Sequence, residues 1–245
     1  MGETGRAADY APGAMHRVSV GVTGNDLEIA WRVEPQQVVG PRLVMAQRLY
    51  QARQHAGAGN QTRSIEFLRA GLLQIDPNGD DLALDTATAQ VAALLARLTL
   101  TGGDPYGALP WAAWAHRSLR RVLRSALGPE TRAALKVLAA AHRAVGDVTA
   151  AVHSYSDLTR HQAQAEGPTA LPTLAAQASL ALVLYEEGHC EQAQQLLART
   201  IAIHRRAHRE HPARARMAAA LDHMRATCAG HPHEHPAGVE DAVRT

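Results

Sequence analysis

The rhythm of apolar positions changes once along the chain. Val18, Val20 and Val22 alternate with polar or small residues, and so do Leu27, Ile29 and Trp31. Between the two runs lies Thr23-Gly24-Asn25-Asp26, a turn-forming stretch. A period of two around such a turn fits a β-hairpin, and it equally fits an extended arm laid along the first helix. From Pro41 onward the period becomes that of an amphipathic helix. Helices are expected at 41–56, 62–75, 81–101, 105–126, 130–145, 148–165, 170–187, 190–210 and 213–228. Gly40-Pro41 puts proline at a first helical position, where its missing N–H costs nothing. The breaks are glycine- and proline-marked: Gly57 to Gly59, Pro77 to Gly79, Gly102-Gly103, Gly128-Pro129, Gly146-Asp147, Gly167-Pro168, Gly188-His189 and His211-Pro212.

Three of these glycines keep time. Gly103, Gly146 and Gly188 are 43 and 42 residues apart. Alanine stands five residues after each (Ala108, Ala151, Ala193) and seven before each (Ala96, Ala139, Ala181). Leucine stands eight before each: Leu95, Leu138 and Leu180. Two antiparallel helices joined by a tight turn need small residues where their backbones approach, and a glycine whose positive φ ends the first helix. One such hairpin cannot bury its apolar face alone, but hairpins stacked at a fixed period can.

This arrangement resembles the tetratricopeptide repeat family. Leu138-Ala139, Gly146-Asp147, Ala151 and Tyr155 follow the family's pattern of helix A, turn and helix B. Leu180-Ala181, Gly188-His189, Ala193 and Leu197 repeat it, as do Leu95-Ala96, Gly103-Asp104 and Ala108. A weaker copy spans 41–77 around Gly57 to Gly59, with Phe67 and Pro77 placed in its second helix. The period near 42 and the Leu-Gly-Pro-Glu linker at 127–130 look like the long-repeat branch seen in kinesin light chains and actinobacterial repeat proteins. The family's early Trp is absent, and Thr99, His142 and Leu184 replace its usual aromatic before the turn. The resemblance implies an all-α, right-handed superhelical array of antiparallel hairpins over 41–228: about four helix pairs plus a terminal helix. The arm or hairpin at 16–40 precedes it. The segments 1–15 and 229–245, the latter rich in His and Pro, are expected to be disordered.

Composition narrows the picture modestly. Hydrophobic residues make up 46% of the 245, but aromatics only 4%, with Phe67 the single Phe. The core must therefore be built from Ala, Leu and Val, which suits closely packed helices. Lys136 is the only lysine, a bias that fits a GC-rich genome. A net charge of +2 is too mild to imply nucleic acid or membrane. No run approaches a membrane span and no leader pattern opens the chain, so a cytoplasmic protein is expected. Cys190 and Cys228 do not form a CxxC pair.

In a stacked array the first helix of each pair lines the concave side. Phasing on the glycines turns Gln90, Ala93 and Arg97 inward, then Lys136, Ala140 and Arg143, then Ala178, Leu182, Tyr185 and Glu186. The partner-binding groove is therefore expected to use Gln90, Arg97, Lys136, Arg143, Tyr185 and Glu186. Guanidinium groups bind carboxylates through paired, charge-assisted hydrogen bonds. Alternatively, Arg97 and Arg143 are solvated or pair with nearby acids. Two arginine groups, Arg117 to Arg124 and Arg205 to Arg209, offer phosphate contacts but lack the aromatic platforms of single-strand binders. His204, His208 and His211 fall at i, i+4 and i+7, a weak candidate for a metal site on one helix face. A helix start can lower a thiol pKa, yet Cys190 sits where this repeat packs between helices and is expected to be a buried apolar group.

No nucleophile elbow, phosphate loop, zinc-protease motif or dinucleotide fingerprint is present. The expectation is therefore a scaffold without enzymatic activity or cofactor, monomeric or homodimeric. It would bind a peptide or protein segment, an acidic one if the groove cations are free, in bacterial signalling or pathway regulation. The alternatives are a sensor of small molecules or peptides acting with a separate regulator, or an unusual helical-repeat enzyme of secondary metabolism. The apolar stripe Met217, Leu221, Met224 marks the final helix as one that closes the array or reaches a neighbour.

Overall fold

The computed structural model describes residues 17–23, 26–32, 41–209 and 211–230. The extension expected at 1–15 lies outside them, and so does the tail expected at 229–245 except for Ala229 and Gly230, which are helical rather than disordered because they finish the last helix. The chain divides into two units, Met1–Val44 and Met45–Thr245. In the first, β1 (Arg17–Thr23) and β2 (Asp26–Arg32) pair antiparallel, from Arg17 opposite Arg32 to Thr23 opposite Asp26. Of the two readings of the alternating segment, the hairpin is the one formed.

The second unit is all-α, and it takes the first helix from Met45 onward. Its helices are α1 (Pro41–Gly57), α2 (Gln61–Gly71), α3 (Thr86–Thr101), α4 (Pro105–Leu123), α5 (Pro129–Val145), α6 (Val148–Glu166), α7 (Leu171–Glu186), α8 (Cys190–Ala207) and α9 (Ala213–Gly230). They form four hairpins, α1–α2, α3–α4, α5–α6 and α7–α8, with α9 packed on the last.

The four turns are copies of one another. Gly59, Gly103, Gly146 and Gly188 have φ of 81, 87, 82 and 94°. Their N–H groups donate to the carbonyls of Ala56, Leu100, Arg143 and Tyr185, three residues back. The next residues, Asn60, Asp104, Asp147 and His189, donate five residues back to His55, Thr99, His142 and Leu184. This double closure satisfies helix-end carbonyls and needs a left-handed residue, which glycine adopts at least cost. Asp104 and Asp147 then cap the following helix, accepting from the N–H of Gly107 and Ala150.

Close packing beside each turn explains the small residues. Ala96, Ala139 and Ala181 are fully buried, as are Ala108, Ala151 and Ala193. In the first hairpin the equivalent pair is Ala52 and Ser64, also fully buried, and the Ser64 hydroxyl donates to the Ala52 carbonyl at 2.9 Å. The weak copy is thus in register with the others, on Gly59. A serine in place of the alanine, with Gln51 in place of the leucine, hides it from a search for identity. A further repeated position joins successive hairpins. Thr131 and Thr173 are buried and donate to the carbonyls six residues earlier, of Ser125 and Gly167. Thr88, at the same phase, donates to Asp85.

Several helix boundaries differ from expectation. The second helix stops at Gly71, leaving Pro77 outside it, and the third starts at Thr86 rather than 81. The intervening segment is committed to α4. Trp114 Nε1 donates to the Asp81 carbonyl at 2.7 Å, the Ala83 N–H donates to Ser118 Oγ at 3.1 Å, and Arg117 reaches the Pro77 and Gly79 carbonyls. Its apolar residues mimic helical periodicity, but its backbone groups are satisfied by another element. Likewise α4 ends at Leu123, not 126, because Arg124 turns left-handed with φ 49°.

Candidate functional site

The first helices of the first three hairpins, α1, α3 and α5, come together at one face. A hollow of about 200 Å³ is floored by Ala93 and Leu94 of α3 and Ala134 and Val137 of α5. Arg53 of α1, Gln90 and Arg97 of α3, and Glu130 of α5 stand around it. A second hollow, between α1 and α3, is lined by Arg53, Ala56, Gly57, Arg97, Leu98 and Thr101. Arg53 and Arg97 border both hollows, so the two are one groove with a shared basic rim. No hydrogen bond or ion pair engages either arginine among the described residues. Apolar floor and unengaged guanidinium groups together can seat an extended chain and hold its carboxylates.

The structure divides the six expected groove residues. Gln90 and Arg97 share the hollow. Lys136 is exposed on α5 and has no acidic partner among the described residues. Arg143 is taken: its Nε donates to both Glu186 oxygens at 3.1 and 3.0 Å, and its Nη2 closes the fork. This bond, above all, raises the pKa of Arg143. Tyr185 is half-buried in the cluster that α9 shares. Beside the pair, burial raises the pKa of Tyr155, opposed by the Arg143 charge and a hydrogen bond with Ser179.

Arg53 was not among the expected residues, although a signal for it existed. It lies six residues before Gly59, as Arg97 lies six before Gly103. Phasing the first copy on Gly59 puts it inward.

The histidine candidate is corrected in its geometry. Helix α8 ends at Ala207, not 210, so His211 is not on it. The rings of His208 and His211 lie 5.5 and 5.3 Å from that of His204; His208, capping the helix, keeps the i+4 hydrogen bond to His204, while His211 comes back from beyond the helix end. His204 is 1% exposed and neither ring nitrogen has a partner. Its pKa is lowered, first by burial and then by His211, His208 and Arg214. The His208 Nε2 already meets the Thr169 carbonyl, and the Ala213 N–H donates to His211 Nδ1. No group of three or more donors among the described residues is placed to hold a metal ion. In the arginine rows, Arg117 is spent on backbone carbonyls. Cys190 is buried, as expected.

Hairpins repeating at 42 to 44 residues, with a glycine turn and small residues at each crossing, define a tetratricopeptide-like helical-repeat fold. Solved structures share it. A kinesin light chain-like protein of Podospora anserina with nearly identical TPR-like repeats superposes with a TM-score of 0.64 at 21% identity, over 79% of this chain and 90% of that one. A point variant of that protein gives 0.60 at 22% identity, over 78% and 96%. BtubC (BKLC) from P. vanneervenii gives 0.56 at 16% identity, over 82% and 86%. No family model and no curated protein matches the chain. Among the described residues no helix is long and apolar enough to cross a membrane.

Proposed function

We propose that the protein is an interaction scaffold whose α1–α3–α5 groove binds an extended, acidic segment of a partner protein. The observation that carries this reading is the pairing of Arg53 with Arg97 over an apolar floor, with neither guanidinium engaged. Gln90 adds an amide for the bound backbone, and Lys136 extends the positive face beyond the hollow. Acidic residues of the ligand meet the rim while its small apolar residues meet Ala93, Ala134 and Val137. The tetratricopeptide-like fold suits this use, because stacked hairpins hold an elongated groove rigid without a cofactor. Binding, not catalysis, is its role in this reading, and a regulatory or signalling assembly is its setting.

The test uses fluorescein-labelled Asp/Glu-rich peptides with interspersed Ala and Leu, titrated in fluorescence anisotropy. Wild type is compared with Arg53→Glu/Arg97→Glu and with Arg143→Glu, each checked for helicity. Binding that is lost only in the first variant, and weakened by salt, supports the groove. Equal binding by all three proteins places the interaction elsewhere.

A further inference from the structure

The two cysteines of the chain occupy the ends of facing stripes. On α8 the buried residues are Cys190, Ala193, Leu197, Thr200 and His204, a continuous line along one side. On α9 the line is Met217, Leu221 and Met224, and Cys228 continues it one turn on. The helices are consecutive and packed in one cluster with Ala181. The start of α8 lies against the end of α9, and there the Cys190 side chain interacts with that of Cys228.

We propose that Cys190 and Cys228 are a redox modification site: a dithiol pair that low-molecular-weight disulfides convert into an intrachain disulfide, stapling α9 to the last repeat. The half-buried Cys228 is the entry point, and Cys190, 4% exposed, is the resolving thiol. With glutathione disulfide the steps balance. The Cys228 sulfur attacks one sulfur of the reagent, forms a mixed disulfide and releases one glutathione. The Cys190 sulfur then attacks Cys228 and releases the second. Two protein thiols are oxidised, one small disulfide is reduced to two thiols, and both thiol protons leave with the glutathiones.

Other features support the order of events. Burial first, and the Cys228 side chain next, push the Cys190 thiol up to about 11. Cys190 therefore stays protonated and inert toward reagent in solution, and reacts only with a sulfur brought to it. The consequence is structural. Helix α9 shares one apolar cluster with Ala181, Leu182 and Tyr185 of α7 and Leu197 of α8. Reduced, the far end of α9 has no covalent tie to α8; oxidised, it is tied down.

The full chain is treated with glutathione disulfide, quenched with acid and digested without reduction for peptide mass mapping. The expected product is a Cys190–Cys228 linkage within one chain. Hydrogen exchange in α9 should then slow about tenfold relative to the reduced protein. In Cys190→Ser the reaction should stop at a glutathione adduct on Cys228. If that variant does not fold, wild-type mapping and α9 exchange decide alone. A persistent glutathione adduct in wild type, a linkage between two chains, no modification, or an intrachain bond that leaves α9 exchange unchanged would each overturn the proposal.

Discussion

Arg97 and Arg143 occupy inward positions one hairpin apart, and the structure treats them oppositely. Arg97 stands beside Arg53 over an apolar hollow and makes no ion pair. Arg143 is gripped by Glu186 from the next first helix. Both arms of that pair are about a third exposed, so it contributes little to stability, yet it cancels the charge a ligand would meet. A cation on a repeat array is therefore available or spent according to what the following repeat places opposite it. The hollow between α1, α3 and α5 keeps Arg53 and Arg97 free, whereas Arg143 of α5 is paired to α7.

The largest effect should come from reversing the free charges. Arg53→Glu/Arg97→Glu should weaken binding of an acidic peptide about a hundredfold, roughly 2.7 kcal/mol, in the anisotropy titration. Arg143→Glu should change it less than about threefold. Next comes a contrast between paired arginines. Arg132 is 7% exposed and donates to both Gln162 and Glu166. Glu166→Ala leaves that guanidinium buried and should cost about 2 kcal/mol in urea unfolding. Glu186→Ala, at the half-exposed pair, should cost well under about 1 kcal/mol.

Acid should lower stability without touching either pair first. Burial, then the charges of Arg120 and His161, lower the pKa of His116 to about 4. The unfolded chain takes up that proton near the ordinary histidine pKa of 6.5, and the folded chain does so only near 4. Stability therefore falls as pH drops from about 6.5 toward 4. With partial exposure allowed for, the expected loss is about 1–2 kcal/mol by urea denaturation. His116→Asn should flatten this profile. The smallest effect should sharpen the opening contrast: Glu186→Gln frees Arg143 and should raise affinity for a long acidic peptide about twofold to threefold.

Much of the fold was legible along the chain. The glycines at 103, 146 and 188 and their flanking alanines announce hairpins, because only a tight turn and a close crossing demand those residues at those spacings. The first copy was harder to phase. Ser64 takes the place of an alanine there, and Gln51 breaks the leucine pattern. The boundaries at 71 and 86 were hidden because Leu82 and Ala83 have helical spacing while Trp114 and Ser118 claim the backbone around them. In the groove, Gln90 and Arg97 were readable by phase. Arg53 would have been readable with the first copy aligned. The Arg143–Glu186 pair spans 43 residues, and spacing alone does not separate a free arginine from a paired one.

The repeat itself is written in the chain, because local turn chemistry and small-residue spacing act within one hairpin and so within one stretch of residues. Stacking, by contrast, settled which charges stay free, which histidines meet after α8 ends, and that Cys190 faces Cys228. Those outcomes depend on which residues the packed hairpins bring face to face, often some forty positions apart, and no local pattern encodes such a meeting.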